Sequence, residues 1–241
     1  MKASVFVAIT LLSGAIAGTI LGLINQGVVE PFIERAIAIE MQSAAEDGEM
    51  INPIEFDAYR VWQRGGEIAA GTILGLSIGS LFGITFAYAR GSLAGSSEKK
   101  KALLLAGIMW LVLFMVPALK YPANPPAVGD PDTIYYRQGL YVAFLAISGL
   151  SALGLAFLYQ KMRGVGAKRL AIPLAYAGIM VIAFLAMPPN PDQVSAPMDL
   201  VNGFRLASGL TMTVFWVLLG LILGSFWDKL RPHETSRIRV A

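Results

Sequence analysis

Six oxygen-bearing side chains stand in two short Pro-rich stretches: Asn124, Asp130 and Asp132 in the first, Asn190, Asp192 and Asp199 in the second. Carboxylate and amide oxygens suit hard divalent cations and bind transition metals only moderately. A selective nickel or cobalt site wants imidazole, and the one histidine, His233, lies in the polar tail. Imidazole must then come from another chain. Met187 and Met198 flank the second stretch as soft donors or as packing filler. The competing reading of both stretches makes Arg137 and Arg205 helix-start anchors that pair with a nearby Asp and keep the loops shut. In the cation reading, Lys120 and Arg137 hold the first stretch against Asp130 or Asp132 and yield to metal. With no cysteine, disulfide scaffolds, zinc ribbons, iron–sulfur clusters and thiol catalysis are excluded. No set of residues binds a cofactor permanently. No nucleophile–base pair stands out either, so the chain reads as a non-enzyme. It also lacks a GxxxxGK[ST] loop, so ATP coupling needs a separate protein.

The elements that carry these residues belong in lipid. Of 241 residues, 56% are hydrophobic and 15% charged, with mean hydropathy +0.62, where a soluble chain has roughly a quarter charged. Six apolar runs are long enough to cross about 30 Å of hydrocarbon: residues 3–24, 68–89, 102–119, 140–159, 170–187 and 206–227. None contains Asp, Glu, Lys, Arg or His. Each must be helical, because a lone strand in lipid leaves its backbone groups unpaired. The first run exceeds the apolar core of a signal peptide and reads as a retained span. The expectation is one all-α integral membrane domain over 1–241, its six transmembrane helices arranged as three hairpins.

Charge sets the orientation. Lys2, the 90–101 connection, the 161–169 connection and the tail from Lys229 hold 13 of the 19 Lys and Arg residues. Arg35, Arg60, Arg64, Lys120, Arg137 and Arg205 hold the other side, with 13 of the 16 acidic residues. Both termini are therefore expected in the cytoplasm. The net charge of +3 is accounted for by topology and anionic lipid, which leaves nucleic acid without a role.

Residues 25–67 read as an extracytoplasmic amphipathic segment, a helix followed by a turn. This is either a lid on the membrane surface or a cation-collecting acidic face. The two Pro-rich stretches read as rigid caps. Asn124/Asn190, Pro125/Pro191, Val128/Val194 and Pro131/Pro197 coincide at an offset of 66 residues, and Arg137 and Arg205 follow. A hairpin has been copied in parallel orientation, so the caps should face one another. Arg64 stands before the second run as Arg137 and Arg205 stand before theirs. Gly71, Gly75, Gly79 and Gly83 form a four-residue stripe, as do Gly14, Gly18 and Gly22. Such stripes let helix backbones touch. They serve packing within the chain, a homo-oligomer contact, or a groove for a one-span partner.

The first cap, PALKYPANPPAVGDPDTIYYRQGLY, carries Lys120, Tyr121, Pro122, Asn124, Pro125, Pro126, Gly129, Asp130, Pro131 and Arg137. It resembles the signature of the CbtA family of probable cobalt transporter subunits. The layout agrees over most of the chain, with Trp62 and Arg64 preceding a Gly-rich span. The resemblance implies a multi-pass protein of a prokaryotic inner membrane. It implies uptake of cobalt, as the transported ion, for cobalamin synthesis. It also implies a small one-span, His-bearing partner subunit in the same lipid bilayer. The family is usually described with five spans, whereas six runs are counted here. The reading of another class is a non-transporting scaffold subunit of a larger membrane complex.

Overall fold

The computed structural model describes residues 2–46, 48, 52–126, 128–161, 168–192, 194 and 196–233. From the charge count, Asp47, Glu49, Arg163, Glu234, Arg237 and Arg239 lie outside the described residues, as do the side chains of Lys168 and Arg169. All regular structure among the described residues is helical: α1 (Ala3–Val28), α2 (Glu30–Glu46), α3 (Pro53–Ala89), α4 (Glu98–Trp110), a π-helical turn (Leu111–Met115), α5 (Val116–Lys120), a 3-10 turn (Pro131–Thr133), α6 (Ile134–Lys161), α7 (Lys168–Ala186) and α8 (Met198–Leu230). Among the described residues, five helices are long and apolar enough to cross a membrane: Ala3–Val28, Pro53–Ala89, Glu98–Lys120, Pro131–Lys161 and Met198–Leu230. The remaining apolar run forms a shorter helix, Leu170–Ala186.

Several helices begin well before their apolar runs. α3 starts at Pro53, where Asn52 caps it by accepting a hydrogen bond from the Ile54 N–H at 3.1 Å. A cap plus Pro at the first helical position nucleates a helix wherever the chain is polar. Its 37 residues make a rod of about 55 Å, far more than a bilayer core needs. The polar residues 53–67 therefore extend the helix beyond the apolar run that starts at Ile68. For the same reason Arg64, Arg137 and Arg205 lie inside helices and not ahead of them.

Two compact units divide the chain: Met1–Ile108 with Leu206–Ala241, and Met109–Arg205. In the first, α1 and α3 pack backbone to backbone. Ser13, Gly14, Ala17, Gly18 and Gly22 of α1 are buried, and so are Gly71, Gly75, Gly79 and Gly83 of α3. A Cβ added at Gly71 would lie 2.7 Å from Gly18 O, and one at Gly79 would lie 2.6 Å from Gly14 Cα. Only hydrogen fits between these helices. Lipid offers no hydrophobic drive to hold them, so close backbone contact must do it. Thr19 and Thr72 add a hydroxyl–hydroxyl bond at 2.8 Å across the pair.

The same unit closes with an aromatic cluster. Phe86 meets Trp227 edge-on at 5.0 Å, Phe6 meets Trp227 at 5.9 Å, and Phe82 meets Trp216 at 6.4 Å. Beside it, the α8 carboxylate of Asp228 accepts from the Glu98 and Lys99 N–H groups at 2.9 and 3.1 Å. One helix thus caps the N-terminus of another. Glu98 in turn takes a two-pronged bond from Arg90 at 2.8 and 2.9 Å and an ion pair from Lys101 at 3.0 Å. Burial pushes the Glu98 carboxyl up, but these two cations outweigh it and hold the carboxyl below the usual range.

Gly75→Leu is expected to cost about 3 kcal/mol, the upper end of overpacking penalties. Gly27→Ala, whose new methyl meets nothing within 4 Å, should leave stability unchanged or raise it by up to about 1 kcal/mol. Unfolding of the detergent-solubilised variants measures both; equal stabilities would mean that the α1–α3 contact is not as tight as described.

Candidate functional site

In the second unit, the chain reaches the first Pro-rich loop through a deliberate fault in its helix. At Leu111–Met115 the backbone loosens to π-helical bonding, and the Val116 N–H bonds Leu111 O. The next acceptor, Val112 O, would then need the N–H of residue 117, which is Pro117 and has none. Buried Ser148 on α6 donates to Val112 O instead, at 2.5 Å. Its one hydrogen is spent there, so Tyr176 on α7 must be the donor in the 2.7 Å Ser148–Tyr176 pair. A freed carbonyl thus ties three helices together. Around it, Tyr121, Leu140, Phe144 and Met180 form the core of the unit.

Tyr121 begins the loop and is buried, and its hydroxyl donates to Pro188 O at 2.6 Å. Lys120 donates to Phe184 O at 2.8 Å, with its ammonium 4.6 Å from the centre of the Phe184 ring. The end of α5 is thereby fastened to the end of α7. Lys120 does not hold the loop against Asp130 or Asp132: it sits at the C-terminus of α5, where the freed carbonyl and the ring face of α7 lie within reach.

The two loops then grip one another. Asp192 of the second loop accepts from the Asp130 N–H at 2.9 Å, from the Thr133 hydroxyl at 2.6 Å, and forms an ion pair with Arg137 Nε at 3.0 Å. Arg137 also donates to Thr133 Oγ1, Val128 O and Asp130 O at 3.0, 3.2 and 3.1 Å. In the other direction, Arg205 reaches from the start of α8 to Asn124 Oδ1 at 2.7 Å and Ala123 O at 3.2 Å. Each loop is thus held by the arginine that follows the other one. The pairing of Arg137 with Asp130 or Asp132 gives way to pairing with Asp192. Asp130 Oδ1 is already occupied by capping the turn, where it accepts from the Asp132 N–H at 2.9 Å.

Gly129 makes room for this clamp. Its φ of +97° is a left-handed conformation that suits glycine. A Cβ there would also lie 2.6 Å from Asp192 Oδ2 and 2.7 Å from Arg137 Nη1. Asn190 accepts from the Asp192 N–H at 3.2 Å and so shapes the second loop. Asp199 stands exposed in the first turn of α8. Asn124, Asp130, Asn190 and Asp192 each have a carboxylate or amide oxygen engaged by another residue's donor. Among the described residues, no three His, Cys, Asp or Glu side chains gather as a metal set. His233 belongs to the other unit, where Trp227 Nε1 donates to its Nδ1 at 3.1 Å.

Arg64 takes part in a different arrangement from Arg137 and Arg205. It lies within α3 and pairs with Glu30, at 3.2 Å, and with Glu34, both on α2. Thr133, Ser148 and Tyr176 have no role assigned from the sequence, and Tyr121 is named there only as a residue of the cap signature. Thr133 carries one signal: it stands three residues after the capping Asp130, where its hydroxyl can turn back to Asp130 O, 2.9 Å away, as the alternative to Asp192 for its one hydrogen.

A double-mutant cycle over Arg137→Ala and Asp192→Ala, followed by unfolding in detergent, is expected to return a coupling of about 1–2 kcal/mol, within the range for contacting charged partners. Strictly additive effects would mean that the loops are not joined through this pair.

Among known proteins, the family model described as "Probable cobalt transporter subunit (CbtA)" matches residues 3–228. No curated protein and no solved structure matches the chain.

Proposed function

We propose, from the premise that this chain belongs to the CbtA family of probable cobalt transporter subunits, that it is the membrane subunit of an uptake system for cobalt or a related divalent cation. The observation that carries the reading is the family match over nearly the whole chain, residues 3–228. The remaining features are assigned within it. The short apolar helix Leu170–Ala186 is a sixth span, at the lower end of the length that crosses a bilayer. This makes three hairpins with both termini in the cytoplasm of a prokaryotic inner membrane. The excess of Lys and Arg in the connections on that side supports the orientation. The transported cobalt feeds cobalamin synthesis. A small one-span partner supplies the imidazole that this chain lacks within its spans.

In this reading the two Pro-rich loops are caps, and the clamp between them is their closed state. A divalent cation arriving at the loops competes with Arg137 for Asp192, since both are cations seeking the same carboxylate. Asp130, Asp132, Asp199, Asn124 and Asn190 supply further oxygens once the arginines are displaced. The ion passes through and is not retained, and the chain acts as a transporter subunit without catalysis.

Radioactive cobalt uptake, in a host stripped of its own cobalt and nickel importers, tests this with the chain alone and then with the His-bearing partner. Uptake that depends on both proteins is the expected result. No uptake from correctly inserted proteins would leave the scaffold reading in its place. Asp130→Asn combined with Asp132→Asn should reduce uptake severalfold while membrane expression stays intact; unchanged uptake would remove both from the ligand set.

A further inference from the structure

In the first unit, where α1, α2 and α3 meet, five charged side chains crowd together. Glu30 and Glu34 come from α2, and Arg60, Arg64 and Glu67 come from α3. Glu30 is 7% exposed, and its Oε1 accepts from Arg60 Nη2 and from Arg64 Nε. Arg64 Nη2 pairs with Glu34. Arg60 spends a further N–H on Gln63 Oε1 at 2.6 Å, and Gln26 of α1 donates to Arg64 O at 2.5 Å. Two arginines and two glutamates therefore close on one another with no net charge, and this closure seats α2 on α3.

Glu67 is the odd carboxyl. Among the described residues neither guanidinium makes an ion pair with it; Arg60 acts on it from beyond that distance. Its Oε2 is buried without a hydrogen-bond partner, and so is Oδ1 of Asn25, the α1 side chain that interacts with this carboxyl. A buried carboxylate oxygen with no donor is more costly ionised than protonated. Burial first, and the charge of Glu30 second, push the Glu67 carboxyl up; Asn25 and Arg60 oppose them only in part. Glu67 stands one residue ahead of the apolar run that begins at Ile68, at the polar end of the α1–α3 pair.

We propose that Glu67 is a proton-binding site, protonated on its buried Oε2, and that losing this proton unseats α2 from α3. Once ionised, Glu67 repels Glu30 and competes with it for Arg60, the bond on which the seating of α2 rests. The groups that face Glu67 are Glu30 from α2, Arg60 from its own helix and the uncharged Asn25 from α1. Arg60, the cation of this set, is already engaged by Glu30. The sign follows from linkage: the docked state binds the proton more tightly than the undocked one, so docking is complete at low pH and weakens as pH rises through the Glu67 midpoint. This device does not rest on the transport reading, and a failed uptake assay leaves it standing.

The chain has no cysteine, so spin labels can be placed at Ile39→Cys on α2 and Tyr59→Cys on α3, both at exposed positions. In reconstituted full-length protein, pulsed-EPR distances between them report docking. The expected result is an undocked fraction that rises about tenfold per pH unit until it saturates, as one proton dictates. Glu67→Gln should stay docked throughout, and Glu30→Gln should be undocked at every pH. Should Glu67→Gln fail to fold, the protonated-carboxyl infrared band of the wild type decides, by disappearing at the same midpoint. Distances that ignore pH, a Glu67→Gln protein that titrates like wild type, or a Glu30→Gln protein that stays docked would each overturn the proposal.

Discussion

Hydrocarbon neither donates nor accepts a hydrogen bond, and most of this structure is a response to that fact. Every backbone group in the apolar runs has to be satisfied from within the protein, which makes them helices. Where the ladder of helical bonds is broken, the repair is visible. The π-helical turn before Pro117 frees Val112 O, and Ser148 on another helix supplies the donor that proline cannot. The need to satisfy one carbonyl thus fixes α6 against the broken helix, and Tyr176 extends the tie to α7. π-bulges of this kind are frequent near functional segments. Here the bulge lies just upstream of the loop whose first residue, Tyr121, is locked to the second loop at Pro188.

The same solvent removes the hydrophobic reason for two helices to associate. In the first unit the answer is contact so close that only glycine fits, between Gly14, Gly18 and Gly22 on one side and Gly71, Gly75 and Gly79 on the other. Charge is kept outside the apolar runs, and several of the charged groups there are matched. Asp228 caps α4, Glu98 gathers Arg90 and Lys101, and Glu30 gathers Arg60 and Arg64. Glu98 and Asp228, which stand among Lys- and Arg-rich stretches of the sequence, are explained by this structural work.

Membership of the CbtA family gives the second unit its interest. The clamp is made of charge-assisted bonds to groups near the protein surface, and such bonds yield to a competing cation more readily than packed apolar contacts do. The exchange is reciprocal, with Arg137 serving the second loop and Arg205 the first, so that neither loop can separate without breaking a bond to the other.

Composition and residue spacing were enough to read an all-helical membrane chain, its apolar runs, the small-residue stripes and the two Pro-rich loops, the first of which carried the resemblance to the family. These properties are set locally, by what each residue does to its own helix or to lipid. Partner choice was a different matter. From the sequence, Arg137 faced Asp130 and Asp132 as near neighbours, yet it meets Asp192, which lies 55 residues further along the chain. Arg64 looked like a counterpart of Arg137 and Arg205, yet its helix starts at Pro53 and turns it toward α2. Lys120 found a carbonyl on α7, and Glu67 was left with none of the nearby cations. An ion pair is decided by which side chains the packed helices bring within about 4 Å, a distance fixed by the crossing of whole elements that no local pattern of residues contains.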